Sequence, residues 1–247
     1  MDNSPLVSII TSTLNSGELL RQTIQAVRRQ NYKNFEFIVV DGDSTDSTHE
    51  IIEQSRELIT TYIAEPDTGI YDAWNKGLRL AKGKYIAFLG AGDGYLENGL
   101  SKMVSCAMAN PNAELISSKI VFIRNENLFR VMGAPWSWNK FRHYMTTAHA
   151  GSLHSRSLFE KYGAFDTSYK IAGDYELLLR AGKNLQTAYV DEVTATMAWG
   201  GVSQINNRCF IESETAKLKN KSVNKFEARL DRYVAEAKRA IRNALGR

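Results

Sequence analysis

The chain has 247 residues, of which 43% are hydrophobic and 23% are charged, a composition typical of a globular protein with room for one large α/β domain. Its formal net charge is only +4, and the basic excess lies after Lys217, so nothing in the composition indicates a nucleic-acid partner. Cys106 and Cys209 lack metal or redox spacing, and no apolar run approaches the roughly 20 residues that span a bilayer. These features predict free thiols and a cytoplasmic protein.

The first hundred residues alternate between strand and helix patterns. Short β-branched and aromatic runs at 6–11, 35–41, 60–65 and 85–90 predict strands. The intervening segments have apolar residues at helical spacing, and Asp46 or Ser47 is the expected cap of the second helix. This alternation predicts an α/β fold with a mainly parallel, Rossmann-like sheet flanked by helices, in which ligands bind at the carboxyl ends of the strands.

Two acidic residues follow predicted strands directly. Asp41 ends "FEFIVVD", and Asp93 lies in "GAGDG" after "YIAFLG". A carboxylate among glycines can approach a phosphate-bound cation, but the same segment also suits a tight turn. Local sequence alone leaves both interpretations open.

Several ordered segments together resemble glycosyltransferase family 2, the inverting sugar transferases with a GT-A fold. They are "VSIITSTLN", "TIQAVRRQNYKNFEFIVVDGDSTDST", "AEPDTGIYDAWNKGLRLAKGKYIAFLGAGD" and "HAGSLHSRSLFEKYGAFDTSYKIAGDYELLLR". The resemblance implies a nucleoside-diphosphate-sugar donor, with UDP-sugars favoured. The residues that it assigns to the nucleotide pocket are Thr11, Thr13, Asn15, Asp41, Asp67 and Asn75.

Asp93 matches the last position of the metal-binding DXD motif of that family. Ala91 and Gly92 occupy the first two positions, so one carboxylate remains to hold Mn²⁺ or Mg²⁺. Because Mg²⁺ often uses one or two protein carboxylates together with phosphate oxygens and water, the resemblance still implies a metal at Asp93, beside Gly92. Loss of the metal is the alternative.

Asp174, in "IAGDYELLLR", is the candidate catalytic base. Its position at the start of a predicted helix is equally typical of an N-cap, for which aspartate is well suited. The resemblance assigns it to the base of the family's "ED" motif, although Gly173 replaces the glutamate. Glu176 is a weaker alternative base, and His149 is a weaker candidate for the acceptor side.

The sequence predicts a glycosyltransferase domain over 1–203, with a nucleotide-sugar half (1–100) and an acceptor half (101–203), followed by a tail over 204–247. In this tail, Phe226, Leu230, Tyr233, Val234, Ala237 and Ile241 recur at spacings of three and four among basic residues. Such a helix is typical of peripheral binding to an anionic membrane, here the inner face of the cell membrane, or of a helix that covers its own domain.

The predicted function is inverting, metal-assisted sugar transfer to a glycan acceptor, expected to be lipid-linked, in bacterial surface-polysaccharide assembly of the O-antigen type. Two alternatives remain: a sugar nucleotidyltransferase, although "TSTLNSGE" lacks the glycine-rich loop expected there, and a non-catalytic nucleotide-sugar-binding module. Asp174 separates these alternatives, because a module that only binds has no need of a base.

Overall fold

The computed structural model describes residues 5–124, 127–201 and 206–244, which form a nine-stranded sheet with helices on both faces. The predicted end of the domain at residue 203 lies outside these described residues. Within them, no helix has the length and apolar character needed to cross a membrane.

The first half of the chain forms the parallel part of the sheet. Its elements are β1 (Val7–Thr13), α1 (Gly17–Arg28), β2 (Phe35–Asp41), α2 (Thr48–Glu53), β3 (Thr61–Ala64), α3 (Ile70–Leu80) and β4 (Tyr85–Gly90). The strands lie in the order β3, β2, β1, β4, as a sheet built from strand–helix–strand units requires. Ser47 is the N-cap of α2 but its side chain makes no capping hydrogen bond, while the preceding Asp46 accepts from the Thr48 N–H through Oδ1.

The second half extends the same sheet with mixed strand directions. Its elements are β5 (Gly94–Tyr95), α4 (Gly99–Ala109), β6 (Leu115–Arg124), β7 (Asn127–Met132), α5 (Trp138–Phe141), β8 (Ser152–Ser155), α6 (Arg156–Tyr162), α7 (Gly173–Ala181) and β9 (Thr187–Ala198). Strand β8 is antiparallel to β4 and β6, while β9 runs parallel to β6. Strands β5 and β7 pair antiparallel with β9 and β6.

Alternate residues of the central strands enter two apolar clusters, one on each face of the sheet. Ile9 and Leu89 belong to the cluster that includes α1 and α4, whereas Ile10 and Phe88 belong to the cluster that includes α3 and α7. All four side chains are fully buried. Burial of each such side chain contributes about 1.5–3 kcal/mol, and these contacts fix the strand ends in which the polar residues lie.

Two further helices, α8 (Arg208–Lys219) and α9 (Lys225–Ala244), follow the sheet. Ala216 of α8 is fully buried in the same cluster as α7. The Glu212 carboxylate accepts hydrogen bonds from the backbone N–H groups of residues 170, 171 and 172 at 2.8–3.0 Å. Helix α8 is therefore packed on the domain that precedes it.

We predict that Glu212→Ala destabilises the whole domain, because three backbone N–H groups lose a charged acceptor. Hydrogen bonds to charged groups contribute about 1.5–3 kcal/mol each, so a loss of at least ~3 kcal/mol is expected. Thermal unfolding should show one transition with a lower midpoint. Glu236→Ala on α9, which removes an exposed ion pair with Arg232, is the control and should change the midpoint little. Equal effects of the two substitutions would contradict the integration of α8.

Candidate active site

Polar side chains gather where the parallel strands end. Thr13 and Asp41 are register partners at the ends of β1 and β2. Asp41 Oδ1 accepts hydrogen bonds from the Ser44 N–H at 3.1 Å and the Ser44 hydroxyl at 2.5 Å, and the Tyr62 hydroxyl donates to Oδ2 at 3.3 Å. Burial, together with the Asp41 charge, raises the pKa of Tyr62 to about 12, so this phenol remains a donor.

Asn15 and Asp67 shape the loops beside this strand edge. Asn15 adopts a left-handed conformation with φ of 46°, and its Oδ1 accepts from the Thr45 N–H at 2.8 Å. Asp67 Oδ1 accepts from the Gly69 N–H at 2.8 Å, and its other oxygen lies 2.7 Å from where a Cβ on Gly42 would stand. Only glycine at position 42 permits this close approach of Asp67 to the end of β2.

The hydroxyls of Thr11 and Thr13 are buried and have no hydrogen-bond partner among the described residues. Thr13 lies at the strand end beside Asp41, where a bound ligand could satisfy it. Thr11 lies further inside β1 and is fully buried. Thr11 therefore lies within the sheet, below the carboxyl ends of the strands, rather than at those ends.

Thr23 of α1 holds the "GAGDG" loop. Its hydroxyl lies 2.7 Å from the Asp93 carbonyl, to which it donates, and it accepts from the Gly92 N–H at 3.0 Å. Gly92 has φ of 94°, which L-residues with side chains rarely adopt, and a Cβ on Gly94 would come within 2.6 Å of Ala26. The glycines thus let the loop lie close against α1 and fix the position of the Asp93 backbone.

The Asp93 carboxylate turns back toward its own strand. Its Oδ2 accepts from the Gly90 N–H at 3.1 Å. Burial raises the pKa of Asp93 to about 7, although the N–H groups of Gly90 and Ala198 and the charge of His149 counteract part of this rise. A divalent cation would supply the positive charge that this carboxylate lacks, so Asp93 fits the part of a metal ligand. No group of three metal-ligating side chains occurs among the described residues, so phosphate and water would complete the coordination.

Asp174 meets two side chains from distant parts of the chain. His149 Nε2 lies 2.5 Å from Asp174 Oδ2, and the Tyr71 hydroxyl lies 3.0 Å from Oδ1 and 2.7 Å from the Ile171 carbonyl. Burial alone would raise the pKa of Asp174. The charge and hydrogen bond of His149, with bonds from Tyr175 and Tyr71, outweigh burial and lower it. Asp174 is therefore ionised at neutral pH.

Aromatic packing fixes the orientation of His149. The Trp74 ring meets the imidazole edge to face with centroids 4.9 Å apart, and Nδ1 is buried with no partner among the described residues. The neighbouring His154 is fully enclosed, and burial lowers its pKa to about 3, so it remains neutral. Among the described residues, the Asp174 carboxylate is therefore the hydrogen-bond partner of His149, and this contact orients the acid.

A cavity of about 370 Å³ opens at Asp174 and His149. Its other walls include residues of β6, β7, α7, β9, α8 and α9, all of which come after β5 in the chain. The charge of His149 lowers the pKa of both Asp93 and Asp174, so one imidazole influences the strand-end acid and the cavity acid.

The sequence profile described as glycosyl transferase family 2 matches residues 8–163. The chain belongs to glycosyl transferase family 2. The match covers β1–β4 and the Asp93 loop and extends through α6. The family assignment made from the sequence motifs is confirmed.

Curated relatives of this chain are also named as glycosyltransferases. A PGL/p-HBAD biosynthesis glycosyltransferase of Mycobacterium bovis (strain BCG / Pasteur 1173P2) is 31% identical over 207 residues, covering 81% of this chain and 80% of the relative. The putative teichuronic acid biosynthesis glycosyltransferase TuaG of Bacillus subtilis is 35% identical over 107 residues, 42% of each chain.

Solved structures confirm the GT-A type of fold. Staphylococcus aureus TarS 1-349 in complex with UDP-GlcNAc aligns with a TM-score of 0.74 at 16% identity, covering 90% of this chain and 69% of TarS. The mannosyltransferase PcManGT of Pyrobaculum calidifontis, in complex with GDP-Man and Mn²⁺, aligns with a TM-score of 0.65 at 20% identity, covering 98% and 79%.

Asn75 and Glu176, which the sequence analysis assigned to the site, make structural contacts instead. The Asn75 amide donates to the Phe165 carbonyl at 2.8 Å and accepts from the Phe165 N–H at 3.0 Å, so both of its polar groups are used away from the strand edge. Glu176 is fully buried and pairs with Arg180 at 2.8 Å and with Asn220 of the chain after α8 at 3.1 Å. It points toward α8 and is not an alternative base.

The N-cap interpretation of Asp174 also fails. Helix α7 begins at Gly173, its N-cap is Ala172, and the Asp174 side chain bonds to His149 and Tyr71. Sequence reasoning missed Tyr71 and Thr23. Thr23 had a signal, since it lies on the apolar stripe of α1 between Leu20 and Val27, where a buried hydroxyl needs a partner.

We predict opposite stability effects for the two aspartates in the metal-free protein at pH 8. The folded-state pKa of Asp93 is raised to about 7. Its contribution to stability is therefore lost as the pH rises from the unfolded-state pKa of aspartate through 7. Asp93→Asn should therefore raise the unfolding midpoint by at least ~2 °C, a gain that shrinks at pH 5. The folded-state pKa of Asp174 is lowered, so its ionised form stabilises the fold at pH 8, and Asp174→Asn should lower the midpoint. Shifts of the same sign would contradict these assignments.

Proposed function

We propose that the chain transfers a sugar, with inversion, from a nucleoside-diphosphate sugar to an acceptor hydroxyl, and that Asp174 is the base. One observation carries this proposal: a buried carboxylate is held ionised at the mouth of a cavity by two side chains that only the fold brings together. A module that binds without turnover gains nothing from such an arrangement.

The donor would lie along the carboxyl ends of β1, β2 and β4. Asp41, Asp67 and Thr13 would contact the nucleoside, and Asn15 would hold the loop around it. We favour a UDP-sugar, as the family resemblance implies; among related folds TarS has been solved with UDP-GlcNAc and PcManGT with GDP-Man. Asp93 would hold Mn²⁺ or Mg²⁺, which when bound would offset the charge of the diphosphate.

The reaction follows from the position of the base. The acceptor oxygen forms a bond to the anomeric carbon while the bond from that carbon to the diphosphate breaks, and the hydroxyl proton passes to the Asp174 carboxylate. The two carboxylate oxygens together accept hydrogen bonds from His149, Tyr71 and the Tyr175 N–H, which still leaves a lone pair for the proton. The Tyr71 hydroxyl keeps a partner throughout, since the Ile171 carbonyl lies 2.7 Å away.

Asp174→Asn should reduce transfer by a factor of at least ~100, the low end of what a positioned general base contributes. Affinity for UDP in the presence of Mn²⁺ should change little, because Asp174 lies outside the strand-end site. Transfer rate, UDP affinity and melting temperature are measured on one preparation, with a screen of UDP- and GDP-sugars to find the donor.

Asp191→Asn is the matched control, because it makes the same chemical change at an exposed carboxylate paired with Lys119. Its transfer rate should equal that of the parent. An Asp174→Asn protein that transfers sugar at the parental rate would remove Asp174 from the mechanism.

We further propose that α9 rests on an anionic membrane surface, which suits a lipid-linked glycan acceptor. Its apolar stripe faces solvent: Phe226 is 75% exposed, Tyr233 58% and Ile241 59%. The exposed cations Lys225, Arg229 and Lys238 lie on the same helix. Each basic residue near an anionic surface adds about 1 kcal/mol to binding.

The membrane proposal predicts that Phe226→Ser combined with Tyr233→Ser reduces co-sedimentation with phosphatidylglycerol vesicles several-fold without changing the melting temperature. Point substitutions are used rather than truncation of the C-terminal helices, because removal of α8 would expose the domain core. Met108→Ser, an equally exposed residue on α4, is the control. The proposal would be contradicted if the parent protein does not bind these vesicles at low salt. It would also be contradicted if the parent protein is a dimer that the double substitution dissociates.

A further inference from the structure

The cavity beside Asp174 has a strongly basic wall that the proposed chemistry does not use. Arg130 from β7 and Arg239 and Arg242 from α9 line it together. The one carboxylate among its described lining residues is Asp174, which is already bonded to His149. The described residues that line the cavity therefore include three guanidinium groups and one carboxylate.

These cations are held near each other. Arg239 lies over the Phe210 ring at 4.1 Å and donates to Asn207 Oδ1 at 3.1 Å, which fixes its side chain. Burial and then the charges of Arg130 and Arg239 lower the pKa of Arg242. No carboxylate of the described chain forms an ion pair with Arg130 or Arg242. Like charges at close range destabilise a fold unless an anion joins them, so the arrangement suits a bound anion.

Much of the remaining wall is apolar. Phe122, Met132, Met197 and Trp199 line the same cavity, and Trp199 packs edge to face on Phe122 with centroids 5.4 Å apart. A ligand that fits this space has an anionic group beside an apolar or sugar-ring surface.

Under the proposed function, the donor would lie along the ends of β1, β2 and β4, whereas the arginines lie on β7 and α9 and line the cavity at Asp174. In an inverting displacement, the acceptor approaches the anomeric carbon from the side opposite the leaving diphosphate, where the base must also lie. The space next to Asp174 therefore belongs to the acceptor.

We propose that Arg130, Arg239 and Arg242 form an acceptor subsite for an anionic group, phosphate or carboxylate, carried near the attacking hydroxyl. Guanidinium groups bind both anions through paired N–H donors. This inference rests on the proposed function and specifies its acceptor as anionic.

Three small probes test the subsite by calorimetry: octyl phosphate, methyl glucuronide and neutral octyl glucoside, each below its micelle concentration. The parent protein should bind at least one anionic probe ten-fold more tightly than octyl glucoside. Arg130→Gln and Arg242→Gln should each remove most of that preference, and Arg242→Lys should retain part of it. Preference for octyl phosphate indicates a phosphate acceptor, and preference for the glucuronide indicates a carboxylate acceptor; either supports the subsite.

Arg229→Gln is the control, because Arg229 lies on the same helix, is exposed and does not line the cavity. It should bind the probes like the parent. Titration of UDP with Mg²⁺ into every variant separates the two sites. Equal binding of neutral and anionic probes by the parent would overturn the subsite, as would arginine variants that lose UDP affinity. Intact UDP binding alongside a failed subsite would leave the proposed sugar transfer standing.

Discussion

The contact between His149 and Asp174 is the interaction on which the functional architecture depends. It joins Nε2 to Oδ2 at 2.5 Å across 25 residues of chain, and it is the largest of the effects that outweigh burial and lower the pKa of the acid. This contact requires that the segment just before β8, which carries His149, meets the start of α7 over α3. There Trp74 packs on the imidazole and Tyr71 reaches the second carboxylate oxygen. Packing on one face of the sheet thus determines the charge state of one carboxyl.

Asp93 shows the reverse balance at the other end of the site. Its carboxylate is enclosed by backbone N–H donors and a loop pressed against α1, and the protein supplies little positive charge. The pKa values of the two acids therefore depart in opposite directions from the usual aspartate value in the same protein. This separation supports the different roles proposed for them, a base and a metal ligand, without any difference in side-chain chemistry.

The sequence predicted what depends on local pattern. The parallel strands follow from β-branched runs alternating with helices. Asp41 and Asp93 were identified by their positions after strands, and Asp174 by the family resemblance. It failed where a role depends on partners that local spacing does not reveal. Asn75 binds the backbone of Phe165, 90 residues away, and Glu176 turns toward the chain after α8. Tyr71 reaches Asp174 across 103 residues, and the three arginines meet only after β7 and α9 have folded onto the cavity.

A carbon-13 NMR titration of aspartate carboxyls, assigned with the Asp174→Asn and Asp93→Asn proteins, tests the central claim most directly. The account predicts that the Asp174 carboxyl titrates below the usual aspartate range. It predicts that Asp93 titrates near pH 7 without a cation and moves to lower pH when Mg²⁺ and UDP are added together. An Asp174 carboxyl that is still protonated at neutral pH would contradict the account, because the proposed base would then already carry its proton.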